Sequence, residues 1–338
     1  MHALGKKVPD KDPTKQENIV LDNLQQVEAT DCFGHLSFNG RFREAGVNLL
    51  LTQNFDHGIF AQLDIPIRRL EVRNVSYSDC SADKKDPNWQ AFLASFSSIL
   101  TLYELDIRSC KQTGIGDMSL LLGWTRNYEE TEYLDFIDWT LKTGVLFPTG
   151  EKRSIQNAFS LPNGYDGHWG IPLCGDVSIG LFEWITLGLH LQLLPLVKKT
   201  GMVRMKTACE QSGMIKLAKG YAQIKPSMVT HVGCFAQADH IIRGLSLTIG
   251  YSYAHQGSTK ICPCDDQAFS PEVVNTDQMF KSWSVHTVHF QADYDFTKEH
   301  HRVGARVGVF VDWHVGGKRT FKMNRSGPFI GLDFLLEA

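Results

Sequence analysis

The chain predicts an all-β fold, a transmembrane antiparallel up-and-down β-barrel of about twelve strands. Three observations carry that expectation. Apolar and polar side chains alternate strictly along many segments, no credible long amphipathic helix lies between them, and the connections alternate between short and long.

Composition sets the outer limits. The 338 residues include 34 basic and 37 acidic side chains, a formal net charge of −3, without the clustered basic excess of a nucleic-acid binder. No nucleic-acid partner is expected. Hydrophobic residues at 43% and charged residues at 21% belong to a folded protein rather than a disordered one. Mean hydropathy is −0.19, and no stretch approaches the roughly 18 unbroken apolar residues of a spanning helix. Crossing a membrane with strands needs only every second residue apolar, so that route stays open. Met1 to Asn18 is polar and lacks the apolar stretch of a secretory leader, which weighs against export unless the leader has been removed from this numbering. Residues 1–30 are expected to form a polar tail and residues 31–338 the barrel.

Successive side chains of a strand point to opposite sides, so period two identifies strands with unlike faces. The longest case is 302–315: Val303, Ala305, Val307, Val309, Val311, Trp313 and Val315 oppose Arg302, Gly304, Arg306, Gly308, Phe310, Asp312 and His314. Leu245, Leu247, Ile249 and Tyr251 alternate with Ser246, Thr248, Gly250 and Ser252. Val288, Phe290, Ala292 and Tyr294 alternate with His289, Gln291 and Asp293. Similar patterns run through 137–147, 177–181, 185–193 and 330–336, and through 117–125 with Leu121 as an exception.

Read this way, strands fall near 34–42, 45–54, 59–78, 114–127, 133–147, 166–181, 185–206, 220–239, 244–256, 282–296, 302–315 and 328–337. Short turns fall at 55–58, 128–132, 182–184, 240–243 and 297–301. Long loops fall at 79–113, 148–165, 207–219, 257–281 and 316–327. Only the tight join at Arg43 and Glu44 breaks the rule. Short turns at one end and long loops at the other characterise bacterial outer-membrane barrels, and an even strand count would place both termini at the periplasmic end.

The polar face would line a lumen: Asp138, Lys142, Thr186, His190, Gln192, Arg302, Arg306, Asp312 and His314. Val, Leu, Ile and aromatic residues would face lipid. Trp124, Tyr128, Tyr133, Trp184 and Trp283 fall near strand ends, where amphipathic rings favour the membrane boundary; they read equally as ordinary strand residues.

Two short pieces carry a family resemblance. Gly114-Ile115-Gly116-Asp117 opens an alternating strand, and the next strand exits through Phe147-Pro148-Thr149-Gly150. Together they resemble the outer-membrane family associated with the meta pathway of phenol degradation and, more loosely, the long-chain fatty-acid transporter barrels. The match covers residues 114–150. It implies an outer-membrane barrel passing small, often hydrophobic compounds, and it supplies no catalytic residues. The carboxyl end departs from that pattern: such barrels usually finish on an aromatic residue, whereas this chain ends at Ala338, with Phe334 as the nearest substitute.

Of the eight cysteines, Cys80 and Cys110 bracket the longest loop and are the natural disulfide if that side is oxidising, while Cys209 could pair with Cys262 or Cys264. Cys262-Pro263-Cys264 beside Asp265 and Asp266 offers a metal alternative, but the spacing is not that of a zinc site. Neither a metal nor a cofactor is expected. Trp89, Phe92, Leu93, Phe96, Leu100 and Tyr103 recur at helical spacing after Asp86-Pro87. They read as a packed loop helix, or as a constriction of the mouth.

One enzymatic alternative stands. His35, Ser37 and Asn39 share a strand face, similar to the His-x-Ser-Asn-Gly stretch of outer-membrane phospholipase, with Phe38 inserted. His300 and His301 read as a solvated hairpin turn, and Gly164, Gly167 and Gly170 as a flexible loop. The expected function is a channel or transporter rather than an enzyme. Small, often hydrophobic, solutes would diffuse through a lumen narrowed by loop 79–113, with lipid and solute as partners and the bacterial outer membrane as location. A structural or adhesive role for the loops is the remaining alternative.

Overall fold

A computed structural model of the protein describes residues 34–81, 84–129, 134–209, 211, 213, 215–242, 244–297 and 303–334. The tail 1–30, Cys32, Tyr133, His300, His301, Arg302 and the terminal Ala338 lie outside the described residues. The chain is all-β, with 61% strand against 9% helix, and its main element is an antiparallel up-and-down sheet curled into a half-barrel.

Strands β1 (Leu36–Asn54), β2 (Ile59–Asp79), β4 (Met118–Glu129), β5 (Phe136–Phe147), β6 (Leu173–Leu181) and β7 (Ile185–Leu194) follow one another around the curl. They are joined by β10 (Val229–Ile242), β11 (Leu245–Gln256), β13 (Trp283–Asp295), β14 (Val303–Lys318) and β15 (Arg325–Phe334). The short strand β3 (Cys110–Ile115) pairs the upper part of β2, from Ile67 to Val72, while β4 pairs the lower part, from Ile59 to Asp64. β3 and β4 are thus one stave interrupted at Gly116 and Asp117. The break faces Pro66, which has no amide to offer the ladder and instead accepts a hydrogen bond from Gly116 N at 2.7 Å.

Among the described residues the half-barrel therefore has eleven staves. The expected strands 34–42 and 45–54 are a single strand: Arg43 and Glu44 pair in register with Glu71 and Leu70 and make no turn. This removes the one exception to the loop rule, and it makes the count odd. β1 enters from the long-loop end and β15 leaves at the short-turn end, so the two edge strands run in the same direction and the termini of the sheet lie at opposite ends. Among the described residues no pairing joins β1 to β15. Leu50 and Leu51, on opposite faces of β1, are both exposed. Phe42 of β1 nevertheless stacks on Phe321 of the β14–β15 connection, with ring centroids 5.4 Å apart.

Phenylalanines on the concave face lie over glycines of the neighbouring strand. Phe235 covers Gly188, where a Cβ would stand 2.1 Å from the ring, and Phe329 covers Gly308 at 2.4 Å. A side chain at either glycine would evict the ring that fills the inside of the curl. Leu121, the exception in its alternating segment, is also inward and buried.

The expected strands 185–206 and 220–239 each divide at a proline, Pro195 and Pro226. Beyond these breaks the chain leaves the half-barrel and builds a second sheet, ordered β12 (Lys260–Pro263), β9 (Lys219–Lys225), β8 (Lys199–Arg204). This sheet holds the most fully buried apolar cluster described: Met205, Ala222, Ile261, Phe269 and Val274. Helix α1 (Pro87–Leu102) forms where the apolar spacing predicts it. Asp86 caps it, accepting from the amides of Asn88 at 2.8 Å and Trp89 at 2.9 Å. Phe96 and Leu100 pack with Leu105 against Leu36 and Phe38, the packed-helix arrangement. The second sheet, α1 and the long loops together make a cap on one end of the half-barrel. Arg204 ties it together, its guanidinium donating to the carbonyls of Tyr103, Glu104 and Leu217 at 2.7–3.0 Å.

Candidate functional site: the concave face and its cap

The concave face carries a belt of polar side chains that crosses from strand to strand. Lys142 Nζ on β5 lies 3.2 Å from Asp176 Oδ2 on β6, and the other oxygen of Asp176 meets His190 Nδ1 on β7. The His190 ring packs on His231 of β10 with centroids 5.3 Å apart. Further round, Ser252 Oγ on β11 is 2.7 Å from His289 Nε2 on β13, and His289 Nδ1 is 2.8 Å from Asp312 Oδ1 on β14. Arg325 Nη2 on β15 donates to Asp312 Oδ2 at 2.9 Å. Nearer the short-turn end a second group clusters. Thr186 and Ser246 both donate to Asp239, at 3.3 and 2.8 Å, and Arg306 pairs with Asp293 at 3.5 Å and Asp295 at 3.6 Å. The polar groups of this belt are paired to one another, which offsets the cost of drawing them out of water.

Of the residues the sequence assigns to a lumen, Lys142, His190 and Gln192 line a cavity of about 560 Å³ bounded by β1, β2 and β4–β7. Asp312, Arg306 and Thr186 join the networks above. Asp138 sits toward the short-turn end opposite Ser178, and His314 is half-buried near the cap, its amide donating to Asn324 at 3.1 Å. Asp176, His231, Ser252, His289 and Arg325 complete the belt. Asp176, Ser252 and His289 were visible as polar members of alternating strands; what links them is cross-strand register, which alternation does not reveal.

Ser252, His289 and Asp312 have the distances of a nucleophilic triad. The surroundings do not match that chemistry. Ser252 lies in a strand hydrogen-bonded on both sides, opposite Gly233 and Thr287, so the neighbouring amides are spent in ladders and cannot cradle an oxyanion. His35, Ser37 and Asn39 are at the start of β1, where Ser37 opposes Ser78 and Asn39 opposes Ser76. Among the described residues no side-chain hydrogen bond joins the three.

The two motifs at 114–117 and 148–150 meet in space. Thr149 Oγ1 donates to the Gly116 carbonyl at 2.6 Å and accepts from Met118 N at 3.0 Å; Gly150 N donates to Asp117 Oδ1 at 2.9 Å. Asp117 also receives the amide of Tyr165, and Asn163 Nδ2 donates to the Gly114 carbonyl at 3.0 Å. The joined motifs hold residues 161–165 as a strap across the concave side. Pro162, Gly164 and Tyr165 line both the concave-face cavity and a second cavity of about 700 Å³ inside the cap. The strap, not loop 79–113, separates the two spaces; α1 contributes to neither, and Leu105 alone represents that loop.

Cys80 and Cys110 are free thiols kept apart. Cys110 pairs beside Val72, whereas Cys80 follows the end of β2 at Asp79, roughly 25 Å along an extended strand and beyond the reach of a disulfide. Cys209, Cys262 and Cys264 are free as well. Trp124, Tyr128 and Trp184 are exposed near the short turns, but Trp283 turns inward, donating to Gln256 at 2.7 Å and packing beside Leu146, Leu194 and Val229.

No protein-family model matches this chain, and no curated protein is significantly similar to it.

Proposed function

We propose that the protein is a bacterial outer-membrane channel through which small solutes pass by passive diffusion, as the resemblance at residues 114–150 implies. One observation carries the reading: the convex face is apolar and uncovered. Leu189 is 64% exposed, Ile249 53% and Val307 38%, each on a different strand, while His190, Ser252 and Asp312 of the same three strands pair on the concave side. A soluble sandwich would bury those three residues in its middle. An apolar surface spread over eleven staves is stable against hydrocarbon, not water.

In a bilayer the free amides of β1 and β15 need partners, because hydrocarbon supplies none. The reading therefore closes the half-barrel along that seam, where Phe42 and Phe321 already meet. Because the stave count is odd, the seam is parallel. The strap at 161–165 then sits between the cap and the lumen as the narrowest element of the route. A hydrolase built on His35, Ser37 and Asn39 has no comparable support.

The test is whether the protein fractionates with outer membranes, shows heat-modifiable migration in detergent, and conducts ions after reconstitution in planar bilayers. A monomer that stays soluble without detergent would overturn the reading.

A further inference from the structure

The cap cavity combines a cationic lining with apolar walls. Seven cationic side chains line it against a single acidic one, Asp166, although the chain as a whole is slightly acidic. Three of the seven are committed: Arg204 to backbone carbonyls, Arg319 to the Ser282 carbonyl at 3.0 Å and Gln278 Oε1 at 2.6 Å, and Lys216 to Asp277 at 2.6 Å. Lys199 shares Asp166 at 3.7 Å. Lys152, Arg153 and Lys281 have no acidic partner among the described residues, and Arg153 Nε is buried without a hydrogen-bond acceptor there. The rest of the wall mixes apolar side chains, Leu196, Met202, Phe280 and Trp283 among them, with uncharged polar ones such as Asn157 and Gln256. Concentrating like charge in an enclosed space is unfavourable unless an anion offsets it. The Lys199 ammonium shows that strain: burial pushes its pKa down, and Lys152 and Arg153 add to the effect.

We infer that the cap cavity is a binding site for small organic anions, compounds with an apolar body and a carboxylate or phosphate, which it collects above the strap. Cations hold the head group and the apolar wall takes the body, the usual division of labour in a ligand pocket. The cavity volume of about 700 Å³ accommodates one such molecule. The inference names the solute class of the channel proposed above and rests on that reading for its purpose, though not for the binding itself.

The test uses the full chain folded in detergent, with benzoate as probe and benzyl alcohol and inorganic phosphate as comparators, followed by calorimetric titration. Benzoate should bind saturably, more tightly than either comparator, and at least 10-fold less tightly when KCl is raised from 50 to 500 mM. A triple variant, Lys152→Gln, Lys199→Gln and Lys281→Gln, should weaken benzoate at least 10-fold, while Lys260→Gln, outside the cavity, should not. Heat-modifiable migration verifies that each variant is folded. Equal affinity for benzyl alcohol, tighter binding of phosphate, or unchanged benzoate affinity in the triple variant would overturn the site. Benzoate binding without conductance would retain the site and remove the channel; conductance without benzoate binding would do the reverse.

Discussion

The backbone amide of Tyr165 donates to Asp117 Oδ2 at 2.5 Å, joining a loop to the break between β3 and β4. Because Asp117 also holds Gly150 N, one carboxylate fixes both ends of the inward excursion. Asp117→Ala should cost about 1–3 kcal/mol, the penalty of stranding two amides, and, if the protein is the channel proposed above, should raise single-channel conductance several-fold. Gly164→Val should have the same effect by another route. Gly164 has φ +137°, and a Cβ there would lie 2.3 Å from Asp117 Oδ2, so the substitution must unseat the strap. Wild-type conductance in both variants would show that the strap does not gate the route.

Most of the half-barrel was legible because period two is written directly into the chain, as in Val303 to Val315. The stave count was not. Residues 34–54 carry polar Arg43 and Glu44 in mid-strand and imitate a turn, while Pro195 and Pro226 interrupt segments whose alternation continues beyond them. The cap was illegible for a different reason. Its core joins Met205, Ala222, Ile261 and Phe269 from segments far apart in sequence, each too short to show a period. The motif residues Gly116, Asp117 and Thr149 could be recognised, but their contact with each other depends on register. The same holds for the belt, where Asp176 and His190 are each visible and only pairing brings them together.

If the convex face meets lipid, placing a charge there should be costly at mid-height. Leu189→Arg should reduce folding stability in vesicles by about 2–4 kcal/mol. Trp184→Arg, close to a short turn, should cost about 0–1 kcal/mol, because the boundary tolerates charge. Equal, small effects at the two sites, measured by urea unfolding in vesicles of the same lipid, would contradict a membrane-embedded surface.

Lys216 and Asp277 form the most deeply buried ion pair described, with side chains 3% and 4% exposed. Lys216→Met strands a carboxylate inside the cap and should cost about 3–5 kcal/mol. The double variant Lys216→Met with Asp277→Leu removes both charges and should recover most of the loss. Hydrogen exchange at residues 219–225 reads the effect in the cap; a double variant no better than the single would mean that the pair itself, not the stranded charge, sets the stability.

Ser252 tests whether triad distances alone make a catalyst. With no free amides to stabilise an oxyanion, the serine should remain unlabelled by a fluorophosphonate probe, and Ser252→Ala should leave ester hydrolysis at background. Labelling that disappears in Ser252→Ala would instead identify a hydrolase inside the half-barrel.

His168 should make the cap sensitive to acid. Its side chain is buried in the loop following the strap, with Nδ1 2.8 Å from the Val197 carbonyl, and burial pushes its pKa below the ordinary histidine value, with Lys199 adding to the shift. The folded state therefore keeps the ring neutral, while the unfolded loop takes up a proton near pH about 6.5. Between the two values the unfolded form binds more protons, so stability rises with pH. The contribution is complete above pH about 6.5 and is lost as the pH falls from there toward the lower folded value. Hydrogen exchange at residues 165–172 should accelerate between pH 7 and pH 5 beyond the intrinsic change, and on the channel reading conductance should increase over the same interval as the strap loosens. In His168→Gln, which cannot titrate, both dependences should flatten. If the variant keeps the wild-type pH response, another group controls the strap.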